Sequence, residues 1–170
     1  QALADFDRAI GLDEKLDWAL ANRGETYRLM GKYEQALADF DRAIALDEKS
    51  AWAIAGRGLI YRLMGNYEQA LADLDRAIEL DRKSGLNSRG ETYRKLGEYE
   101  KALNDFTSAM ELTPTNGFAL HRRAAVCLAI GNLDAAQADL TKAMSLLLED
   151  ASDFYNRAIE MGLENIRRDD

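Results

Sequence analysis

Residues 17–50 return almost unchanged as residues 51–84, with 25 of the 34 positions identical when the two stretches are laid side by side. No other feature of the 170-residue chain restricts its fold so strongly. A unit of that length is one supersecondary element that cannot bury its own apolar face. Copies must therefore stack on one another into a quasi-one-dimensional array. Such an array presents an extended surface, and its usual work is holding other molecules rather than transforming them. The apolar fraction of 47% is ample for the shared core that stacking requires.

Inside each unit the spacing predicts two helices joined at a glycine. In the first complete unit these are residues 17–30 and 33–46, linked by Gly31 and Lys32. Gly31, Gly65, Gly97 and Gly131 share that place, where a left-handed C-terminal helix cap suits glycine. Leu20, Gly24 and Tyr27 fall on one face of the first helix, and Ala36, Phe40 and Ala43 on one face of the second. Small residues recur at two equivalent places: Gly24, Gly58, Gly90, Ala124 and Ala158 on first helices, and Ala2, Ala36, Ala70, Ala102 and Ala136 on second helices. A glycine inside a helix costs roughly 1 kcal/mol relative to alanine, so its repetition predicts close helix approach there.

The Gly-x-x-Tyr step (Gly24/Tyr27, Gly58/Tyr61, Gly90/Tyr93) followed by Ala-x-x-x-Phe/Leu and a further Ala (Ala36/Phe40/Ala43, Ala70/Leu74/Ala77, Ala102/Phe106/Ala109) resembles the tetratricopeptide repeat. A looser copy is Ala124/Cys127/Ala136/Leu140/Ala143. The resemblance covers nearly the whole chain. It implies an all-α, right-handed superhelical solenoid of antiparallel helix pairs with about ten helices, in one array spanning residues 1–170. The expected divisions are a half unit at 1–16, complete units at 17–50, 51–82, 83–116 and 117–150, and a capping helix at 151–170. Gln1 falls inside a repeat, so the sequence reads as a fragment of a longer array. Some family features are absent. Leu20, Ile54 and Leu120 replace the family's tryptophan, Trp18 and Trp52 lie six residues before the glycine, and the late proline occurs once, as Pro114. The third complete unit is two residues short: Asp47 to Gly58 spans eleven steps, Asp81 to Gly90 only nine. Its first helix should start late, with either a local irregularity or only a shortened loop.

Little in the chain suggests chemistry. His121 is the only histidine, and Cys127, six residues on along one expected helix, points elsewhere. Cys127 also takes the core place of Tyr27, which suits a buried, inert thiol. No Cys/His cluster suggests a metal, no Gly-rich loop suggests a phosphate, and no cofactor is expected. The formal charge of −8 argues against general nucleic-acid or anionic-membrane binding. One cysteine allows no internal disulfide, which agrees with a reducing, cytoplasmic setting.

Two patterns carry the functional expectations. Arg23, Arg57, Arg89, Arg123 and Arg157 repeat on first helices, and Asp5, Asp39, Asp73, Asp105 and Asp139 on second helices. They predict a ladder of bidentate, partly buried pairs joining the two helix layers. A second stripe lies about 200° around each first helix from its packed face: Trp18, Ala21, Glu25 and Arg28, then Trp52, Ala55, Leu59 and Arg62. It continues as Asn87, Glu91 and Arg94, then Phe118, His121 and Ala125. The family resemblance places this stripe in a concave groove that binds a peptide or helical segment of another protein. Aromatic and arginine side chains dominate such interfaces, and an arginine ladder would favour an acidic partner or a terminal carboxylate with apolar anchors. The tryptophans could instead pack on the neighbouring unit, and the arginines could pair with Glu25 and Glu91. The lysine–asparagine set with which some tetratricopeptide domains clamp a chaperone's C-terminal carboxylate is absent. The competing readings are a structural module that self-associates through the half unit at Gln1, and a sensor or regulatory segment of a larger signalling protein. Catalysis by this segment is not expected.

Overall fold

The structure, a computed structural model, describes residues 2–13 and 15–160, with side chains described as far as residue 146. Among the described residues there are nine helices and no strand: α1 (Ala2–Leu12), α2 (Asp17–Leu29), α3 (Tyr33–Leu46), α4 (Ala51–Leu63), α5 (Tyr67–Leu80), α6 (Leu86–Lys95), α7 (Tyr99–Leu112), α8 (Gly117–Ala129) and α9 (Leu133–Glu160). The chain divides into two compact units, Gln1–Ser108 and Ala109–Asp170.

In the first unit α3 and α5 are each wedged between first helices: α3 touches α2 and α4, and α5 touches α4 and α6. The first helices also meet directly, α2 with α4 and α4 with α6. Leu20, Ile54, Ala36, Ala70 and Leu74 are completely buried between the layers. The interior glycines have the packing reason that their repetition suggested. A Cβ on Gly58 would stand 3.0 Å from the Leu74 side chain and 3.2 Å from the Ala70 carbonyl oxygen.

Each helix pair closes on a glycine with positive φ, such as Gly65 at +82°. The Gly65 N–H donates to the Arg62 carbonyl (3.1 Å) and the Asn66 N–H to the Tyr61 carbonyl (2.8 Å). Those two bonds satisfy carbonyls that the helix end leaves open, in the Schellman arrangement.

The missing two residues show directly. Helix α6 has 10 residues where α2 and α4 have 13. It begins at Gly85, which adopts φ +101° within 3.4 Å of Leu74 and Ile78 when its Cβ position is built. Leu86 is buried as the first residue of the helix, in the place that Ile54 fills from the second turn of α4.

In the second unit α8 packs on α9. Helix α9 runs unbroken for 28 residues, so the expected break near residue 150 between a fourth unit and a capping helix does not occur. The backbone turns extended at Asp47 and Asp81, ending α3 and α5, and α7 ends just before Thr113-Pro114. Leu147 occupies the equivalent place in α9, and the stretch from Ser145 to Ser152 contains neither glycine nor proline. Nothing local stops that helix. The remainder of the expected cap, residues 161–170, lies outside the described residues.

Candidate interaction surface

The arginine–aspartate ladder forms at four rungs. The Nε and Nη2 of Arg57 donate to the two carboxylate oxygens of Asp73, each at 2.7 Å. Arg23 grips Asp39 at 2.7 and 2.6 Å, Arg89 grips Asp105 at 2.8 and 2.6 Å, and Arg123 grips Asp139 at 2.8 and 2.6 Å. The four aspartates are buried. Hydrogen bonding to the aspartate, opposed by desolvation, holds each of these guanidinium groups above the ordinary arginine pKa. The fifth rung has no described pair: Asp5 is exposed, and the side chain of Arg157 lies outside the described residues.

A third arm escaped the sequence reading. Nη1 of Arg23, Arg57 and Arg89 donates 2.7 Å bonds to Asp7, Asp41 and Asp75, which project from the preceding second helix. Each arginine therefore ties its own partner helix to the one before it. The signal was present in the alternation Asp-x-Asp at 5/7, 39/41 and 73/75, which lets one second helix meet two arginines, Asp39 taking Arg23 and Asp41 taking Arg57.

The outward stripe is only partly outward. Trp18 and Trp52 are 53% and 47% exposed, so neither is a core residue. Trp52 nevertheless leans on the preceding unit, its ring edge-on to Phe40 at 6.4 Å between centroids and 76° between planes. Between them Ala21 is buried, contrary to its place on a solvent stripe, because α2 is covered by α4 as well as by α3. Ala55, Leu59, Arg62 and Asn87 are half-buried.

Two of the three stripe arginines have their carboxylate on their own helix. Arg28 forms a fork with Glu25 (2.7 and 2.6 Å) and Arg94 one with Glu91 (2.8 and 2.7 Å). These hydrogen bonds, working against desolvation, hold both arginines above their ordinary pKa. Glu91 is buried, unlike the half-buried Glu25, so it belongs to the scaffold. Arg28 and Arg94 thus already hold a carboxylate from their own helix, the alternative pairing with Glu25 and Glu91.

In the second unit Phe118 is 49% exposed, with the guanidinium of Arg122 over its ring at 5.0 Å, and His121 is exposed. Cys127 is buried, and its burial pushes the thiol pKa up. Among the described residues no group of His, Cys, Asp and Glu has metal-binding geometry, and no helix is long and apolar enough to cross a membrane.

The tetratricopeptide repeat family matches residues 17–83 and, overlapping them, 49–115, which together exceed half of the chain. The chain belongs to that family. Solved structures of similar fold include MamA, at TM-score 0.74 and 22% identity over 88% of this chain and 89% of that one. YrrB, described as a tetratricopeptide protein with an unusual peptide-binding site, gives TM-score 0.68 and 23% identity over 96% and 85%. The first tetratricopeptide domain of Spaghetti (RPAP3), bound to the HSP90 peptide SRMEEVD, gives 0.65 and 23% over 70% and 96%. Among curated proteins, none matches the chain in sequence. In this tetratricopeptide array the ladder and the small residues are buried between helices, whereas Trp18, Trp52 and Phe118 stay half exposed.

Proposed function

We propose that this tetratricopeptide array binds an extended or helical segment of another protein along the first-helix face of residues 1–108, by recognition alone and without bond chemistry. The observation that carries this reading is the pair Trp18 and Trp52. Two large aromatic side chains stand half exposed at the same place in successive repeats, and Trp52 is propped edge-on against Phe40. A propped ring loses little side-chain entropy on binding, so its buried area converts efficiently into affinity.

Trp18, Trp52 and Leu59 are the apolar anchors in this reading, and Arg62, one turn on from Leu59, completes the stripe. Glu25, Arg28, Asn87, Glu91 and Arg94 frame them, with the two internal forks fixing the rims. Phe118 and His121 form a separate patch on the second unit. The partner is a peptide or protein with apolar anchors and an acidic group, rather than a nucleic acid or a membrane. Peptide binding by YrrB and by the Spaghetti domain supports the class of function. The places of a lysine–asparagine carboxylate clamp are held here by Ala21 and Glu25, Ala55 and Leu59, and Asn87 and Glu91, so a chaperone C-terminus is not the expected ligand.

The test is selection of peptides from a random library on the whole chain, followed by titration of the selected peptides against Trp18→Ala/Trp52→Ala and Trp52→Ala/Arg62→Ala variants. Affinity should fall by at least about tenfold in both. Undiminished binding in both variants would overturn the reading.

A further inference from the structure

The Phe40 ring is clasped from two sides. A Cβ built on Gly24 of α2 would stand 3.3 Å from its Cδ2 and Cε2, and one built on Gly56 of α4 would stand 2.5 Å from its Cε1 and Cζ. The first approach belongs to the repeat, since Gly58 and Gly90 face Leu74 and Phe106 in the same way. The second does not. Gly56 is the only glycine at its place, which Asn22, Ser88 and Arg122 hold in the other units. The clasped ring is buried, and Trp52 makes its edge-to-face contact with it at 6.4 Å. Trp52 lies one turn before Gly56 on the same face of α4. Any side chain at position 56 would therefore displace the ring on which Trp52 leans.

The place one turn after the other two exposed aromatics is filled differently. Asn22 turns its Nδ2 back to the Trp18 carbonyl at 2.7 Å, and among the described residues no aromatic ring packs on Trp18. Arg122 lies over the Phe118 ring at 5.0 Å. Only Trp52 has a buried ring behind it.

We propose that Gly56 is a positioning residue of the binding face. By leaving out its side chain it lets Phe40 fix the Trp52 indole in one pose, while Trp18, with no such ring, keeps its rotamer freedom. This rests on the reading of the first-helix face as a peptide-binding surface; on that reading Trp52 is the selective anchor and Trp18 the adaptable one. A fixed indole loses less entropy on binding and offers the ligand a single shape. Bound peptides should agree in the side chain that meets Trp52 and vary in the one that meets Trp18.

The chain has two tryptophans, so Trp18→Phe leaves Trp52 as the sole indole and Trp52→Phe leaves Trp18. Time-resolved fluorescence anisotropy of these variants, with no peptide present, reads the local motion of each indole. The fast component should be about twofold larger for Trp18 than for Trp52. Adding Gly56→Ala or Phe40→Leu should raise it for Trp52 to the Trp18 level and leave Trp18 unchanged. Leu74 holds the place of Phe40 in the next repeat, so the second change is compatible with the fold. Gly58→Ala, on the same helix but against Leu74, is the control: it should lower the melting temperature without loosening Trp52. With peptides selected on the parent, Gly56→Ala should weaken binding by about two- to tenfold. The proposal is overturned if Trp52 moves as freely as Trp18 in the parent, if neither Gly56→Ala nor Phe40→Leu loosens it, if Gly58→Ala loosens it equally, or if peptide affinity ignores Gly56→Ala. A library that yields no peptide removes the peptide-binding reading instead, and the anisotropy then decides alone whether Gly56 positions Trp52.

Discussion

At the scale of single residues the ladder separates a strong from a weak interaction on one side chain. Arg57 holds Asp73 by a buried fork and Asp41 by one exposed arm. Removing a buried partner strands a charge, whereas an exposed ion pair is screened by water and costs side-chain entropy to hold. Asp73→Ala is therefore expected to lower unfolding free energy by about 2–4 kcal/mol, and Asp41→Ala by less than about 1 kcal/mol, as read by urea denaturation. Equal losses would mean that the third arm is as structural as the fork. Gly56 is a second residue-scale device, and one that repetition could not reveal. A Cβ there would come within 2.5 Å of the Phe40 ring, yet Asn22 and Ser88 hold the equivalent places in the neighbouring units. In the third unit Leu74 replaces Phe40, but α1 carries Phe6 before Asn22, so it is the placement of the Phe40 ring against Gly56, and not a ring as such, that demands glycine. Gly56→Ala should cost about 1–3 kcal/mol through forced repacking, and the penalty should shrink in a Phe40→Leu background; an unchanged penalty would point to helix propensity instead. Cys127 offers a pH reading. Burial raises its pKa, so the folded state favours the protonated thiol and the thiolate fraction at mildly alkaline pH falls below that of an exposed cysteine. Labelling by a disulfide reagent at pH 8 should be slow in the native protein and fast in urea, and native labelling at the free-thiol rate would refute this.

At the scale of the helix the sequence was most legible where a unit repeats its neighbour and least where it does not. Helix–turn–helix pairing, the glycine caps and the fork geometry all follow from residues that recur, because any unit that stacks must solve the same packing problem. Ala21 was misplaced on the solvent side because helical spacing gives one inward face, whereas α2 packs against α1, α3 and α4. The unbroken α9 was missed for the opposite reason. The expected boundary came from the period, but a helix ends only where its own residues stop it, and Leu147 does not. Helix α6 lies between these cases. Its late start could be counted from the missing residues, but the way the chain adapts, through a left-handed Gly85 against Leu74, needed coordinates. Gly85→Ala is expected to destabilise more than Gly65→Ala. Both force a side chain into the left-handed region at about 1–2 kcal/mol, but only at Gly85 does the new Cβ also press on neighbours, since nothing stands within 4 Å at Gly65. Thermal melts of the two variants side by side decide it, and equal shifts would leave backbone strain as the whole cost.

At the scale of the whole molecule, stability in a repeat array is a sum of intrinsic terms and nearest-neighbour interfaces, so protection should track how many neighbours a helix has. Within residues 1–108, α3 and α5 each have first helices on both sides, whereas the described packing of α1 is on α2. Hydrogen exchange in dilute solution is expected to be fastest in α1 and slowest in α3 and α5. Sequence similarity argues the other way, because Ala2, Phe6 and Ala9 repeat the core residues of α3. The difference lies in what covers them. Exchange in α1 that is as slow as in α3 would show that intrinsic helix stability, and not stacking, governs α1.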